Sequence, residues 1–292
     1  MRHVITLVAL PPNVINVEAI VTGLEGLVRW QWIEAPIACD LFFDRAPDAV
    51  QLASLQFTCA TARMDMISQP TEEREKRLLI SDMDSTMIGQ ECIDELADKV
   101  GLKAHVAAIT ERAMNGELDF KDALRERVAL LAGLPESVLE EVFEEQLSFT
   151  PGAYTLVHTM RKRGAHCLLV SGGFHFFTTR VAKALGFHAE EANQLVIDNG
   201  LLTGEVVEPI LDKQSKLDAL QRTCLLRQIP LSAALAVCDG ANDLPMLQAA
   251  GLGVAYRAKQ SVQKHAAARI NFTDLTALLY AQGIPRSEWV GA

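Results

Sequence analysis

Three short apolar runs that stop abruptly on chemically loaded residues constrain this chain more than anything else in it. Residues 78–81 lead into Asp82-Met83-Asp84-Ser85-Thr86, residues 167–170 into Ser171-Gly172-Gly173, and residues 235–238 into Asp239-Gly240-Ala241-Asn242-Asp243. A fourth run covers 253–255, and helical patterns lie between or after the runs at about 174–185, 213–227 and 242–249. Strands alternating with helices predict an α/β fold whose parallel sheet is covered on both faces. Ligands of such sheets bind beyond the carboxyl ends of the strands. The acids, the hydroxyl and the glycines are therefore expected to meet at one edge.

Asp82 and Asp84 are two residues apart, so on a strand they share a face. Two anions held that close repel each other unless a cation or a shared proton relieves them. A twelve-residue calcium loop does not account for the pair, because its sixth position would be Met87 and its twelfth Ile93. The glycines after Ser171 leave backbone N–H groups open at a helix start, which suits a phosphate. Lys216 lies in the helix before the third run, with Lys213 as a rival. Acids inviting a divalent cation, a phosphate nest and a lysine define phosphoryl transfer better than any other chemistry. There is no P-loop, no G-x-S-x-G elbow and no zinc motif.

A length of 292 residues accommodates two units, and the polar stretch 68–76 divides the chain into 1–70 and 77–292. Before it, strands at 4–10, 28–33, 37–43 and near 64–67 alternate with helices at 17–27 and 47–62. That order predicts a ferredoxin-like α+β unit for packing or for homodimer contacts, by fold-level analogy. After Asp84 comes a helical insertion of about 90–150, placed to act as a lid. Phe120, Leu124, Val128 and Leu131 recur there at helical spacing, as do Leu139, Val142 and Phe143. Asn199-Gly200 marks a hairpin. The formal net charge of −10 disfavours nucleic acid and anionic membranes as partners. Six scattered cysteines without C-x-x-C spacing point to a reducing cytosol. The apolar start meets Pro11-Pro12 without a cleavage site, and no apolar run reaches the ~20 residues of a membrane span. A cytoplasmic protein is expected.

The four motifs in order, Asp82 to Thr86, Ser171 to Gly173, Lys216, and Asp239 to Asp243, resemble those of the haloacid dehalogenase-like phosphatases. Within that family, Glu91, Ala113-Met114-Asn115-Gly116 and 120–128 look like the segment of members that act on phosphoserine. The N-terminal unit is similar to small ACT-type amino-acid-binding extensions. The resemblance implies a Rossmann-like core with a helical cap. It also implies hydrolysis of O-phosphoserine to serine and phosphate, the last step of serine biosynthesis. Asp82 would be the nucleophile, forming an aspartyl-phosphate, and Asp84 the acid and then the base. Mg²⁺ would be held by Asp82, the Asp84 backbone carbonyl and Asp239. Ser171, the Gly172 N–H and Lys216 would bind phosphoryl oxygens, with Asn242 and Asp243 orienting Lys216 and metal-bound water. Glu91 would take the ammonium of the substrate and Arg127 its carboxylate, with Met114 and Phe120 walling the pocket. Arg125 is the other arginine available as a clamp, and His175 reads as a helix-surface residue. A phosphatase for another small ester, or an amino-acid sensor on an inert core, are the competing readings.

Overall fold

The computed structural model describes residues 2–114 and 117–291, apart from the side chains of Glu111 and Met114. The N-terminal part runs β1 (His3–Val8), α1 (Val17–Val21), β2 (Leu27–Glu34), β3 (Ala38–Phe43), α2 (Ala49–Thr61) and β4 (Asp65–Pro70). Its strands pair antiparallel in the order β2-β3-β1-β4, the ferredoxin-like arrangement expected of this element order. Helix α1 is shorter than the expected 17–27. Gly23 and Gly26 take φ of 77° and 72°, left-handed values that end a helix.

Strand β1 is buried on both faces. Ile5 and Leu7 pack in the core beneath α1 and α2, while Val8 joins the core of the C-terminal half. On that second face Thr6 donates to Asp40 at 2.8 Å. The same carboxylate takes the Arg74 guanidinium at 2.6 and 2.8 Å. Arg74 also reaches the carbonyls of Tyr280 and Ala281. Asp65 accepts from the backbone of Asn271, Phe272 and Thr273. The polar stretch 68–76 is thus packed rather than a loose tether: β4 extends to Pro70, and buried Lys76 donates to the Ser232 carbonyl.

The second half begins with β5 (Leu78–Ser81) and the four cap helices α3 (Cys92–Asp98), α4 (Lys103–Met114), α5 (Phe120–Ala129) and α6 (Ser137–Glu145). Next come α7 (Ala153–Lys162), β6 (His166–Phe174), α8 (His175–Leu185), β7 (Ala189–Asn193), β8 (Leu195–Asp198) and β9 (Leu201–Val206). The chain closes with α9 (Lys213–Arg227), β10 (Ala234–Cys238), α10 (Leu244–Ala249), β11 (Leu252–Tyr256), α11 (Gln260–Gln263), β12 (Ala268–Ile270) and α12 (Ala277–Ala281). Six strands form one parallel sheet in the order β12-β11-β10-β5-β6-β7. Helices cover both faces, so β5, β10 and β11 are buried throughout and read as unbroken apolar runs. From β5 the chain winds first towards β7 and later towards β12. The strand order therefore reverses beside β5, and the crevice opens there.

Two expected boundaries shift. Strand β6 continues through Ser171-Gly172-Gly173 to Phe174, so these residues extend a strand rather than start a helix. Residues 241–243 form a 3₁₀ turn, and α10 starts at Leu244 with Pro245 in its first turn. Asn199 and Gly200 do turn the β8–β9 hairpin, with φ of 49° and 77°. All six cysteines are buried free thiols. Among the described residues no helix is long and apolar enough to cross a membrane.

Candidate active site

Asp82 leaves the end of β5 with its backbone N–H bonded to Val237 of β10, which fixes the first acid against the neighbouring strand. One carboxylate oxygen accepts the Met83 N–H at 2.7 Å. The other lies 2.9 Å from Lys216 Nζ, and that ammonium is 2.5 Å from Asp243. Lys216 is 2 % exposed. Wedged between two carboxylates, it keeps its proton, and its pKa is raised despite burial. Lys213, one turn earlier, is exposed at the mouth of the cavity. Lys216 is the lysine at the acids.

Asp84 faces the other side of the crevice. It accepts the Cys92 N–H at 2.9 Å and the Ser171 hydroxyl at 3.1 Å. Ser171 in turn accepts the Gly173 N–H. A methyl group on Gly173 would sit 2.7 Å from the Asp84 carboxylate, so only glycine lets the strand pass this close. A methyl on Gly172 would lie 3.0 Å from Phe120 Cζ, which places that cap ring directly over the core glycine. Asp82, Asp84, Ser171, Asp239 and Asn242 all line one cavity of about 440 Å³.

The cap supplies the far wall through Glu91, Phe120 and Arg127. Arg127 is 8 % exposed. Arg125, two residues away on α5, points outward to Asp122 and Glu208. Lys121 pairs with Asp212 at 3.0 Å across the cavity mouth, linking cap to core. Asn242 lines the cavity, whereas Asp243 lies behind Lys216. The side chain of Met114, expected in this wall, lies outside the described residues. His175 is exposed on α8, 3.0 Å from Glu190 and away from the cavity lining, as its helix-surface reading requires.

Burial, then the charge of Asp84, push Glu91 up to about 8, against the Ser85 hydroxyl bond at 2.6 Å that opposes the shift. Burial and the charge of Asp82 push Asp239 up to about 7. Burial is also the main cause of the rise at Asp84. Acids raised on folding give stability that is complete below their unfolded values near 4 and is lost as pH rises through the folded values. Half-buried histidines such as His166, pushed down to about 4, work in the opposite direction but finish below about pH 7. One such acid therefore takes away about 1 kcal/mol of stability per pH unit between pH 7 and 8.5 in metal-free protein, while Lys76, pushed down to about 8 by burial, works the other way in that window. Glu91→Gln flattens that slope in chemical denaturation with EDTA present. Identical slopes in both proteins would refute the crowding.

The donor set fits a hard divalent cation. Among the described residues no three His, Cys, Asp or Glu side chains form a ready-made cage. Asp82 and Asp239 face the same cavity, and burial and the charge of Asp82 raise Asp239 even though Lys216 and the Thr86 hydroxyl pull it down. Two carboxylates, completed by main-chain carbonyl, water and substrate oxygens, are the usual environment of magnesium rather than of zinc.

Three supporting residues escaped the sequence reading. Thr86 donates to Asp239 at 3.1 Å and ties the first acid motif to the last. Its position inside the Asp-Met-Asp-Ser-Thr segment was the available signal. Asn193, 2 % exposed, joins the Gly172 carbonyl to the Leu211 N–H. Thr110 lines the cavity and bonds Arg127. Nothing in the local sequence marks these last two.

The family model for haloacid dehalogenase-like hydrolases matches residues 79–248. A phosphoserine phosphatase of Albidiferax ferrireducens is 47 % identical over 215 residues, covering 72 % of this chain and 91 % of the relative. A solved haloacid dehalogenase family hydrolase from Salmonella enterica serovar Typhi superimposes with a TM-score of 0.86 at 26 % identity, covering 96 % of this chain and 98 % of its own. A phosphoserine phosphatase solved as a phospho-aspartyl intermediate analogue gives 0.67 at 36 % identity, covering 70 % of this chain and 98 % of its own.

Proposed function

Since the chain belongs to the haloacid dehalogenase-like hydrolases, we propose that it hydrolyses O-phospho-L-serine to serine and inorganic phosphate. One observation carries the substrate choice: the cavity that holds Asp82 and Asp84 at its base is walled by Glu91 and Arg127 from the cap. A phosphate with an ammonium and a carboxylate at its other end matches that distribution of charge. In organisms that make serine through phosphoserine, this is the last step.

In the first half-reaction an Asp82 carboxylate oxygen bonds to phosphorus as the bond from phosphorus to the serine oxygen breaks. Asp84, which burial helps to keep protonated, gives its proton to that oxygen. In the second half-reaction Asp84 takes a proton from water, whose oxygen attacks phosphorus and releases phosphate and free Asp82. Ser171 and the Gly172 N–H hold phosphoryl oxygens, as does Lys216, which stays charged beside Asp82 throughout. Asp82 and Asp239, with the Asp84 carbonyl, would hold magnesium, which when bound neutralises charge between carboxylates and phosphate. Glu91 regains its charge when the substrate ammonium arrives, and Phe120 excludes water above Gly172.

Phosphate release from a panel of small esters, with Mg²⁺ and with EDTA, tests this reading. Activity should disappear in EDTA and return with Mg²⁺. Phosphoserine should exceed esters lacking its ammonium or carboxylate by at least about 10-fold, the least expected from losing a charge-assisted contact. Equal rates across the panel would remove the substrate assignment. The buried free cysteines suit a cytosolic enzyme. A homodimer formed by the ACT-like N-terminal unit would use β2, the edge strand, where Val28 and Trp30 are exposed.

A further inference from the structure

Arg127 arrives in the cavity with its orientation already decided. Its Nε donates to the Ala123 carbonyl one turn back at 3.1 Å. One Nη1 hydrogen goes to the Thr110 hydroxyl at 3.0 Å. That hydroxyl is itself anchored, donating to the Val106 carbonyl at 3.1 Å. A guanidinium has five N–H donors in a rigid plane. Among the described residues two are used, and the three that remain are on Nη1 and Nη2. Nε keeps no hydrogen for a ligand, whereas Nη1 and Nη2 each keep at least one, on a side chain that is 8 % exposed and lines the cavity.

The two anchors come from different cap helices: Ala123 is on α5 with Arg127, and Thr110 is on α4. Ala123 alone would leave the guanidinium plane free to swing about its last torsions. The bond from α4 stops that rotation. A carboxylate bound by a planar fork needs both oxygens matched at once, so a rotated plane loses one of its two bonds. Among the described residues Thr110 is engaged by Val106 and Arg127, and its bonds do not reach Asp82, Asp84, Asp239 or Lys216.

We propose that Thr110 is a positioning residue that sets selectivity for the substrate carboxylate by locking the Arg127 fork. The inference rests on the phosphoserine reading above and deepens it. It predicts a defect confined to substrates that carry the carboxylate.

The test compares kcat/KM for phosphoserine and for phosphoethanolamine, which keeps the phosphate and the ammonium but lacks the carboxylate. In Thr110→Val, which keeps the shape without the hydroxyl, the ratio of the two should fall by about 10-fold, the worth of one bond to a charged group. Most of the loss should be in KM for phosphoserine, and Thr110→Ser should restore the ratio. Equal losses on both esters would show that Thr110 only supports the cap, and an unchanged ratio would show that Arg127 needs no second anchor. Either result overturns the proposal. If the unmutated enzyme itself fails to prefer phosphoserine, the substrate reading falls and this inference with it, a failure visible before any variant is made.

Discussion

Asp82→Asn should lose turnover by at least about 10⁴-fold, the scale seen when a covalent nucleophile is removed, while the protein stays folded. The amide keeps the size of the carboxylate and still presents an oxygen to the Met83 N–H. Lys216 keeps Asp243 as its counter-charge at 2.5 Å, so the buried ammonium is not abandoned. Only the negative oxygen proposed to attack phosphorus is gone. Asp84 cannot replace it, because its two oxygens are taken by the Cys92 N–H and the Ser171 hydroxyl, and burial favours its protonated form. Phosphate release measures the loss, and a beryllofluoride adduct seen in the parent but not in the variant identifies the oxygen concerned. Turnover within about 10-fold of the parent would mean that another group is the nucleophile.

The catalytic edge of the sheet was legible because β5, β6 and β10 are central strands. Burial on both faces leaves them as plain apolar runs, and whatever follows each run must lie at the crevice. The choice between neighbours was not legible. Lys213 and Lys216 are three apart on α9 and share a helix side, so only depth in the fold separates them. Arg125 and Arg127 are two apart on α5, nearly opposite around the helix. Which of them enters the cavity depends on how the cap sits, information that no local pattern contains. Edge strand β7 carries Glu190 and Glu191 and so lacks the apolar signature of its neighbours. The attachment of the N-terminal sheet was hidden for a similar reason. It depends on Asp40, Asp65 and Arg74, single polar residues whose partners are some 30 to 200 positions away in the chain.

Lys216→Met should be costly for both stability and turnover, and the two costs can be separated. Methionine fills a similar volume but leaves Asp82 and Asp243 buried and close with the cation between them removed, so they must stay charged without a partner or take up a proton on folding. Breaking a buried ion pair from one side costs about 3–5 kcal/mol, because the remaining charge is left uncompensated. Chemical denaturation should show that loss in the metal-free protein. Mg²⁺ should recover part of it, since Asp82 then shares its charge with a cation on the cavity side. Turnover should fall by about 10²–10³-fold even with saturating Mg²⁺, the usual effect of removing one group that stabilises transition-state charge. Adding Asp243→Asn to Lys216→Met removes the second uncompensated charge and should return most of the stability without returning turnover. Asp243 matters because it holds Lys216, and once the lysine is absent the acid has only its repulsion left. A double variant that recovered activity would show that Lys216 serves the fold alone. A single variant as stable as the parent would show that the two acids never needed the ammonium between them.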